Sequence, residues 1–348
     1  MATFDVLPAR EREQILRSRR RVLEGAVALH RSSTATPEIA ELRTGDLHLT
    51  VLEDVLVDVY HGFALTRGGR ILEDTAITRS AVERKLRNGK LLRPTRTVTL
   101  DRPVMNLECG PKNSNFFHFW FESLTKLLWV HEPEISDLGP AYLLYSRDLP
   151  PWKEVLLHEA LPPQITPLQI DRGTRVAASV FVDLPPYRGT ALGPDALGSL
   201  RRWAEPLRRS ADPGVGASRI AISRRQAQHR RILNEEAFSA ALEERGFVMV
   251  ALEDLSVAEQ IAVFHRADII IGQHGAGLTH LLHSRPGTKV LEIMAGRPES
   301  VIDLYRGVAV ATGLEYSNLF CGAEGQHIDA QVPVDQVIAW VDAVTATT

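Results

Sequence analysis

Between Arg219 and Glu292 three apolar runs alternate with helix patterns. Arg219–Ile222, Phe247–Ala251 and Asp268–Ile271 each lead through a polar or glycine-bearing turn into a helix. Strands joined by helices through short loops lie parallel, so this stretch predicts a parallel sheet with helices on both faces. Asn234 stands where it can cap a helix that runs to Arg245, and Gly246 closes it. Ser256-Val257-Ala258-Glu259 has the form of a capping box. Thr288–Ile293 reads as a further buried strand, and Val334–Val344, after Pro333, as a closing helix.

The ends of these strands carry the chemistry. The third run opens into Gly272-Gln273-His274-Gly275-Ala276-Gly277-Leu278-Thr279, and the first ends in Ser223-Arg224-Arg225. A strand that feeds a helix through glycines offers free backbone N–H groups and the positive end of a helix dipole to an anion. Gly275 and Gly277 let the backbone approach a phosphate closely; the competing reading is a tight turn that needs positive φ. The motif is neither G-x-G-x-x-G nor a phosphate-binding P-loop. His274 tips the balance toward a ligand, because a structural turn has no need of an imidazole. Arg224 is placed to hold a diphosphate bidentately, against the alternative of an exposed loop arginine. Glu292 ends an apolar strand and needs a partner there, either ribose hydroxyls or a neighbouring arginine. His229 to Arg231 add a basic cluster that reaches either phosphate or solvent.

The first half is organised differently. From Leu47 to Leu100 the pattern is mostly β, with Arg67-Gly68-Gly69-Arg70 as a hairpin turn. Arg10–Arg21 reads as a charged helix. Ala141–Tyr145 and Arg175–Val182 read as strands and Trp152–Ala160 as a helix. The small, polar, Gly/Pro-bearing segment 208–218 reads as a linker. It sets domains of 1–207 and 219–348. With 348 residues, two domains fit the length.

Asn115 to Val130 predicts a helix rich in aromatics. Asn115, His118 and Glu122 fall at i, i+3 and i+7, on one face of it. A polar stripe on an apolar helix suits a cleft, with His118 as general base and Glu122 tuning it. The competing reading is a histidine satisfied by Glu122 while Glu122 also pairs with Lys126. The two side chains alone make a poor metal site. Asn106, Glu108 and Cys109 precede this helix as weaker candidates.

Composition excludes some classes. A net charge of -3 gives no overall basic footprint for nucleic acid. Two cysteines build neither a disulfide framework nor a zinc quartet, and a reducing cytosol is the expected compartment. No signal-peptide pattern opens the chain, and no apolar run approaches the roughly 20 residues that span a bilayer. Peripheral membrane contact stays open.

The ordered set Arg219 to Arg224, Arg231 to Glu235, Phe247, Glu259-Gln260, Ile270 to Thr279 and Val290 to Glu292, with Asn115-Phe116-Phe117-His118 and the following Glu122, resembles glycosyltransferase family 61. That resemblance implies a GT-B fold, two Rossmann-like halves facing across a cleft. It implies inverting transfer from a nucleotide sugar such as UDP-xylose or UDP-GlcNAc to a glycan or other hydroxyl acceptor. Ser223, Arg224, His274, Gly275, Ala276, Gly277 and Glu292 would lie on the donor side. His118 and Glu122, with Asn115, would lie on the acceptor side. His280 departs from the family's pattern, where many members carry Asn. Bacterial relatives are described as capsular polysaccharide biosynthesis proteins, and a chain lacking a membrane anchor points to a cytosolic bacterial enzyme. No metal or other cofactor is expected, in line with the missing Asp-x-Asp motif. Two alternatives remain at this point: a nucleotide-sugar epimerase, and a non-catalytic nucleotide-sugar-binding subunit of a polysaccharide assembly system.

Overall fold

The structure is a computed structural model. It describes residues 6–7, 18–23, 27–28, 42–43, 47–68, 71–72, 96–108, 115–146, 149–184, 194–296, 303–324 and 328–346. The chain divides into two compact units. Met1–Gly25 with Gly45–Arg188 form the first, and Ala26–Thr44 with Gly189–Thr348 the second.

In chain order the early strands are β1 (Val6–Leu7), β2 (Ser18–Leu23), β3 (Val27–Ala28), β4 (Leu42–Arg43), β5 (Leu47–Asp58), β6 (Phe63–Thr66), β7 (Ile71–Leu72), β8 (Arg96–Thr99), β9 (Val104–Asn106), β10 (Ala141–Tyr145), β11 (Ile165–Gln169) and β12 (Thr174–Asp183). β3 and β4 pair only with each other and fall in the second unit. The others form one mixed sheet along the path β1-β7-β6-β5-β12-β9-β10-β11, with β2 on β5 and β8 on β12. β5 is antiparallel to β2, β6 and β12, while β9, β10 and β11 run parallel. This is not the Rossmann-like half that the family resemblance implies. The physical reason is visible in β5, where buried Val55 and Val57 alternate with less buried Asp54, Leu56 and Asp58. Period-two burial belongs to an antiparallel sheet with one face on the core.

Two other expectations change in this unit. Part of the charged segment Arg10–Arg21 is strand, not helix: β2 pairs with β5 from Ser18↔Leu52 to Leu23↔Leu47. Pairing with the longest strand overrides a local helix preference. Residues 10–17 of that expectation, and Gly69-Arg70 of the expected hairpin turn, lie outside the described residues. The aromatic helix exists, but as three winding modes in succession: α-helical Phe116–His118, π-helical Phe119–Ser123 and 3-10 Leu124–His131.

The second unit holds β13 (Arg219–Ile222), β14 (Val248–Val250), β15 (Ile269–Gln273), β16 (Lys289–Ala295), β17 (Glu315–Glu324) and β18 (Asp329–Gln331) in the order β14-β13-β15-β16-β17-β18. All neighbours are parallel except the antiparallel pair β17–β18. Helices Glu235–Glu243 and Val334–Ala346 pack against each other. They cover Ala221, Ile271, Leu291 and Ile293 with Phe238, Leu242, Val337 and Val341. Helices Pro194–Ser210, Val257–Arg266 and Asp303–Thr312 group with the 3-10 segment Ala276–His283. The expected capping box at Ser256 is present, with both the Ser256 side chain and Glu259 in place.

The boundary between the units falls at Arg188/Gly189, about twenty residues before the expected linker at 208–218. Helix Pro194–Ser210 belongs to the second unit because its apolar side is used there: Leu200, Trp203, Ala204 and Leu207 are buried. Arg201 on the same helix donates to the carbonyls of Leu282 and Ser284, each at 2.7 Å. The Gly/Pro-bearing segment is a loop leading into β13, turned at Gly216 with φ 106°.

His280 and His283 sit in the packed interior of the second unit. His280 is fully buried, and its Nε2 lies 2.7 Å from Gln260 Oε1. The Gln260 amide nitrogen already donates to the carbonyls of Leu252 and Leu255, so its oxygen accepts and Nε2 of His280 carries the proton. Burial pushes the His280 pKa down to about 3, and burial together with His280, Arg201 and His265 lowers that of His283. Both are neutral in the folded state and take up protons on unfolding. For His280, stability that is complete above pH 6.5 should therefore fall as pH drops toward about 3, by about 1.4 kcal/mol per pH unit, and His283 adds to the fall in the same direction. Urea melts between pH 7 and 4 measure this slope. His280→Asn should reduce it, and an unchanged slope would contradict the assignment.

Candidate functional site

Strand register brings the two halves of the candidate ligand edge together. β13 pairs with β15 on one side, Arg219 against Ile269 and Ala221 against Ile271, and with β14 on the other. Strand order 2-1-3-4-5 reverses direction between its first and third strands, and a crevice forms beyond their carboxyl ends. Ser223-Arg224 continues β13 there, and His274-Gly275 continues β15.

The Ser223-Arg224 turn is organised by Glu235, the first residue of helix Glu235–Glu243. This carboxylate is 6% exposed. It accepts the Ser223 hydroxyl at 2.5 Å and the Arg224 N–H at 3.0 and 3.2 Å. The Ser223 hydroxyl is thus engaged by Glu235 and holds the turn. The Arg224 side chain folds back over the edge. Its Nε donates to the Arg230 carbonyl at 3.1 Å and its Nη2 to the His229 carbonyl at 2.8 Å. A methyl group on Gly275 would stand 3.8 Å from Arg224 Nη1, so the guanidinium lies against this glycine. Burial lowers the Arg224 pKa, with Glu253 opposing and Arg230 adding to the effect. An arginine stays charged through such a shift.

His274 is held from behind. Its Nδ1 lies 2.5 Å from Glu292 Oε1, and the other Glu292 oxygen accepts the Tyr316 hydroxyl. Glu292 is 1% exposed. Its partners in the protein are His274 and Tyr316, and among the described residues no arginine pairs with it. With Nδ1 engaged, Nε2 is the nitrogen left for an anion. Tyr305 adds a lateral wall: its ring centroid is 5.4 Å from that of His274, and its hydroxyl donates to the Gly275 carbonyl at 2.6 Å. Burial raises the Tyr305 pKa, so the phenol keeps its proton.

The glycines do not take the left-handed backbone that the competing tight-turn reading required. Gly275 has φ 173° and ψ 171°, an extended backbone open to any residue. Gly277 also lacks a positive φ. A Cβ on Gly277 would come within 2.6 Å of the Leu252 side chain, so this glycine serves packing. The segment beginning at Ala276 is 3-10, with Leu278 N–H closing on the Gly275 carbonyl at 3.0 Å. His280 faces Gln260 and Phe264 in the interior, and its departure from the family's pattern does not touch this edge.

In the first unit, Asn115 caps the aromatic helix, accepting from Phe117 N–H at 2.9 Å and His118 N–H at 3.5 Å. It sets the start of the helix instead of joining a polar stripe. His118 Nδ1 lies 2.9 Å from Glu122 Oε1 but off the line of a good hydrogen bond. Both side chains are about one-fifth exposed. Glu122 rises from the π-helical turn Phe119–Ser123, a winding found frequently at functional sites. Lys126 does not pair with Glu122; its Nζ donates to the carbonyls of Asn106 and Glu108, each at 3.0 Å. Asn106 and Glu108 are buried scaffold, Glu108 accepting from Ser146 N–H at 3.2 Å. Cys109 lies outside the described residues. Among the described residues, no group of three His, Cys, Asp or Glu side chains is gathered as a metal site.

Comparison with known proteins agrees with the motif resemblance. A family model described as Glycosyltransferase 61 matches residues 29–291. The chain belongs to glycosyltransferase family 61 and is a transferase by that membership. EGF domain-specific O-linked N-acetylglucosamine transferase of Bos taurus is 33% identical over 123 residues, 33% of this chain and 23% of the relative. The Drosophila melanogaster protein of the same name is 34% identical over 115 residues, 31% of this chain and 22% of the relative. The match spans under a quarter of the length of these relatives. They are animal proteins, which gives the expected bacterial cytosolic setting no support. Among the described residues no helix is long and apolar enough to cross a membrane.

Glu235 was not among the sequence candidates, because its role depends on a turn eleven residues earlier in the chain. Glu235→Ala leaves the Ser223 hydroxyl and the Arg224 N–H without their acceptor, and should cost about 1–3 kcal/mol of stability. The urea midpoint of the variant measures this, and an unchanged midpoint would refute the organising role.

Proposed function

We propose that this member of glycosyltransferase family 61 is an inverting transferase that moves a sugar from a nucleoside diphosphate sugar, UDP-linked, to a hydroxyl acceptor. The observation that carries the reading is the convergence of Arg224, His274 and the start of the Ala276–His283 segment around Gly275, at the switch point of a parallel sheet. The donor's diphosphate sits over this edge. The bond from the anomeric carbon to the diphosphate oxygen breaks, and its electron pair leaves with the diphosphate. Arg224 and His274 hold the charge that develops there. Fixed dipoles and cations aimed at a leaving group act at full strength because they need no reorganisation.

The acceptor oxygen attacks the same carbon from the opposite face. His118 takes the acceptor's proton, and Glu122 beside it stabilises the imidazolium that results. The cationic groups of the second unit do the work a metal would otherwise do. The names of the animal relatives make N-acetylglucosamine the first donor sugar to test.

UDP should raise the melting temperature of the protein, since a ligand that binds only the folded state stabilises it. Arg224→Ala should weaken UDP binding by about 2–4 kcal/mol by calorimetry, the scale of a partly buried charged contact. His118→Ala should abolish transfer while UDP affinity stays near normal; full transfer by this variant would end the assignment. Chelation by EDTA should leave the initial rate unchanged, and loss of rate restored by a divalent cation would replace the cationic mechanism with a metal-assisted one.

A further inference from the structure

The loop that follows β13 crosses the ligand edge. It leaves at Ser223, next to β15, and reaches β18 at the far side of the sheet. There the Arg231 N–H donates to Asp329 Oδ1 at 2.9 Å, and its Nε and Nη2 donate to Asp329 Oδ2 at 3.1 and 2.8 Å. Asn234 adds a reciprocal pair with Val332, accepting its N–H at 3.0 Å and donating to its carbonyl at 2.8 Å. The strap is thus pinned at both ends, by Glu235 on Ser223 and Arg224 and by Asp329 on Arg231.

Arg230 is the residue on this strap whose backbone is strained. Its φ is 56°, in the left-handed region that a side chain other than glycine rarely adopts. Such strain persists only where the surroundings enforce it, and it gathers at ligand clamps and active sites. Two contacts depend on it here. The Arg230 carbonyl accepts from Arg224 Nε, and Arg230 Nη1 reaches back to the His274 carbonyl at 3.4 Å. Arg230 and Arg224 also both act electrostatically on the Tyr305 hydroxyl, which is bonded to the Gly275 carbonyl. Two half-buried guanidinium groups therefore reach the same turn, Arg224 against Gly275 and Arg230 at the His274 carbonyl, although like charges repel. Among the described residues, Arg224 Nη1 and Arg230 Nη2 have no acceptor.

Resting on the donor-side reading above, we propose that Arg230 is a second phosphate-binding cation, paired with Arg224 in a clamp that requires both phosphates of a nucleoside diphosphate. Each guanidinium keeps one nitrogen for a phosphate oxygen, and the two together meet both phosphates of the pair. This commits the donor class: a nucleoside diphosphate sugar is selected over a nucleoside monophosphate sugar. The left-handed backbone at Arg230 sets the direction from which the second guanidinium reaches the His274 carbonyl.

Calorimetric titration of the full chain with UDP and with UMP tests this. The wild type should bind UDP at least thirtyfold more tightly than UMP. Arg230→Ala should remove most of that ratio, weakening UDP by at least tenfold while UMP changes by less than about threefold. Arg230→Lys should retain part of the ratio. Arg230→Gly, which relaxes the backbone without restoring charge, should behave as the alanine variant does. Melting curves for each variant confirm the fold. Wild-type affinity with no preference for UDP over UMP, an unchanged ratio in Arg230→Ala, or a ratio preserved in Arg230→Gly would each overturn the clamp. Binding of neither nucleotide by the wild type would overturn the donor-side reading itself, a different failure.

Discussion

Parallel pairing of β13 with β15 is the constraint on which the candidate donor site depends. Two strands that run the same way end at the same edge, and whatever follows them in sequence must meet there. Ser223-Arg224 and His274-Gly275 are fifty residues apart in sequence and become neighbours for this reason alone. The position of β14 on the other side of β13 then opens the edge, because the chain leaves the two strands in opposite directions. Substitutions in the buried register Ile220, Ile270 and Ile271 would act on the site without touching it.

Buried carboxylates hold the cationic groups in place. Glu292 orients His274, Glu235 fixes the Arg224 turn and Asp329 pins Arg231. Each is under one-tenth exposed, and each is satisfied by hydrogen bonds. A buried carboxylate left without partners is strongly destabilising, so these groups fix geometry as firmly as they compensate charge. The strain at Arg230 and the crowding of two arginines are stored against this framework.

Much of the second unit was legible in the sequence. Arg219–Ile222 matches β13, and the runs near Phe247, Asp268 and Thr288 lie within two residues of β14, β15 and β16. Ile-rich runs bounded by capping signals leave few options. The site partners were less legible. Glu292 and Tyr316 reach their contacts across 18 and 24 residues, through adjacent strands that periodicity cannot assign. Glu292 was read as needing either ribose hydroxyls or an arginine, and the partners it has within the protein are Tyr316 and His274. The first half was harder. Its mixed sheet pairs β5 with β12 across more than a hundred residues, and no local pattern announces that. The His118–Glu122 pair was visible as spacing, but the π-helical turn beneath it was not.

A crystal structure of the protein with UDP bound tests the central claim most directly. The account predicts the diphosphate over Gly275, with phosphate oxygens in hydrogen-bond reach of Arg224 Nη1 and His274 Nε2. A nucleotide bound elsewhere on the second unit, or one that leaves both side chains without a phosphate contact, would contradict it.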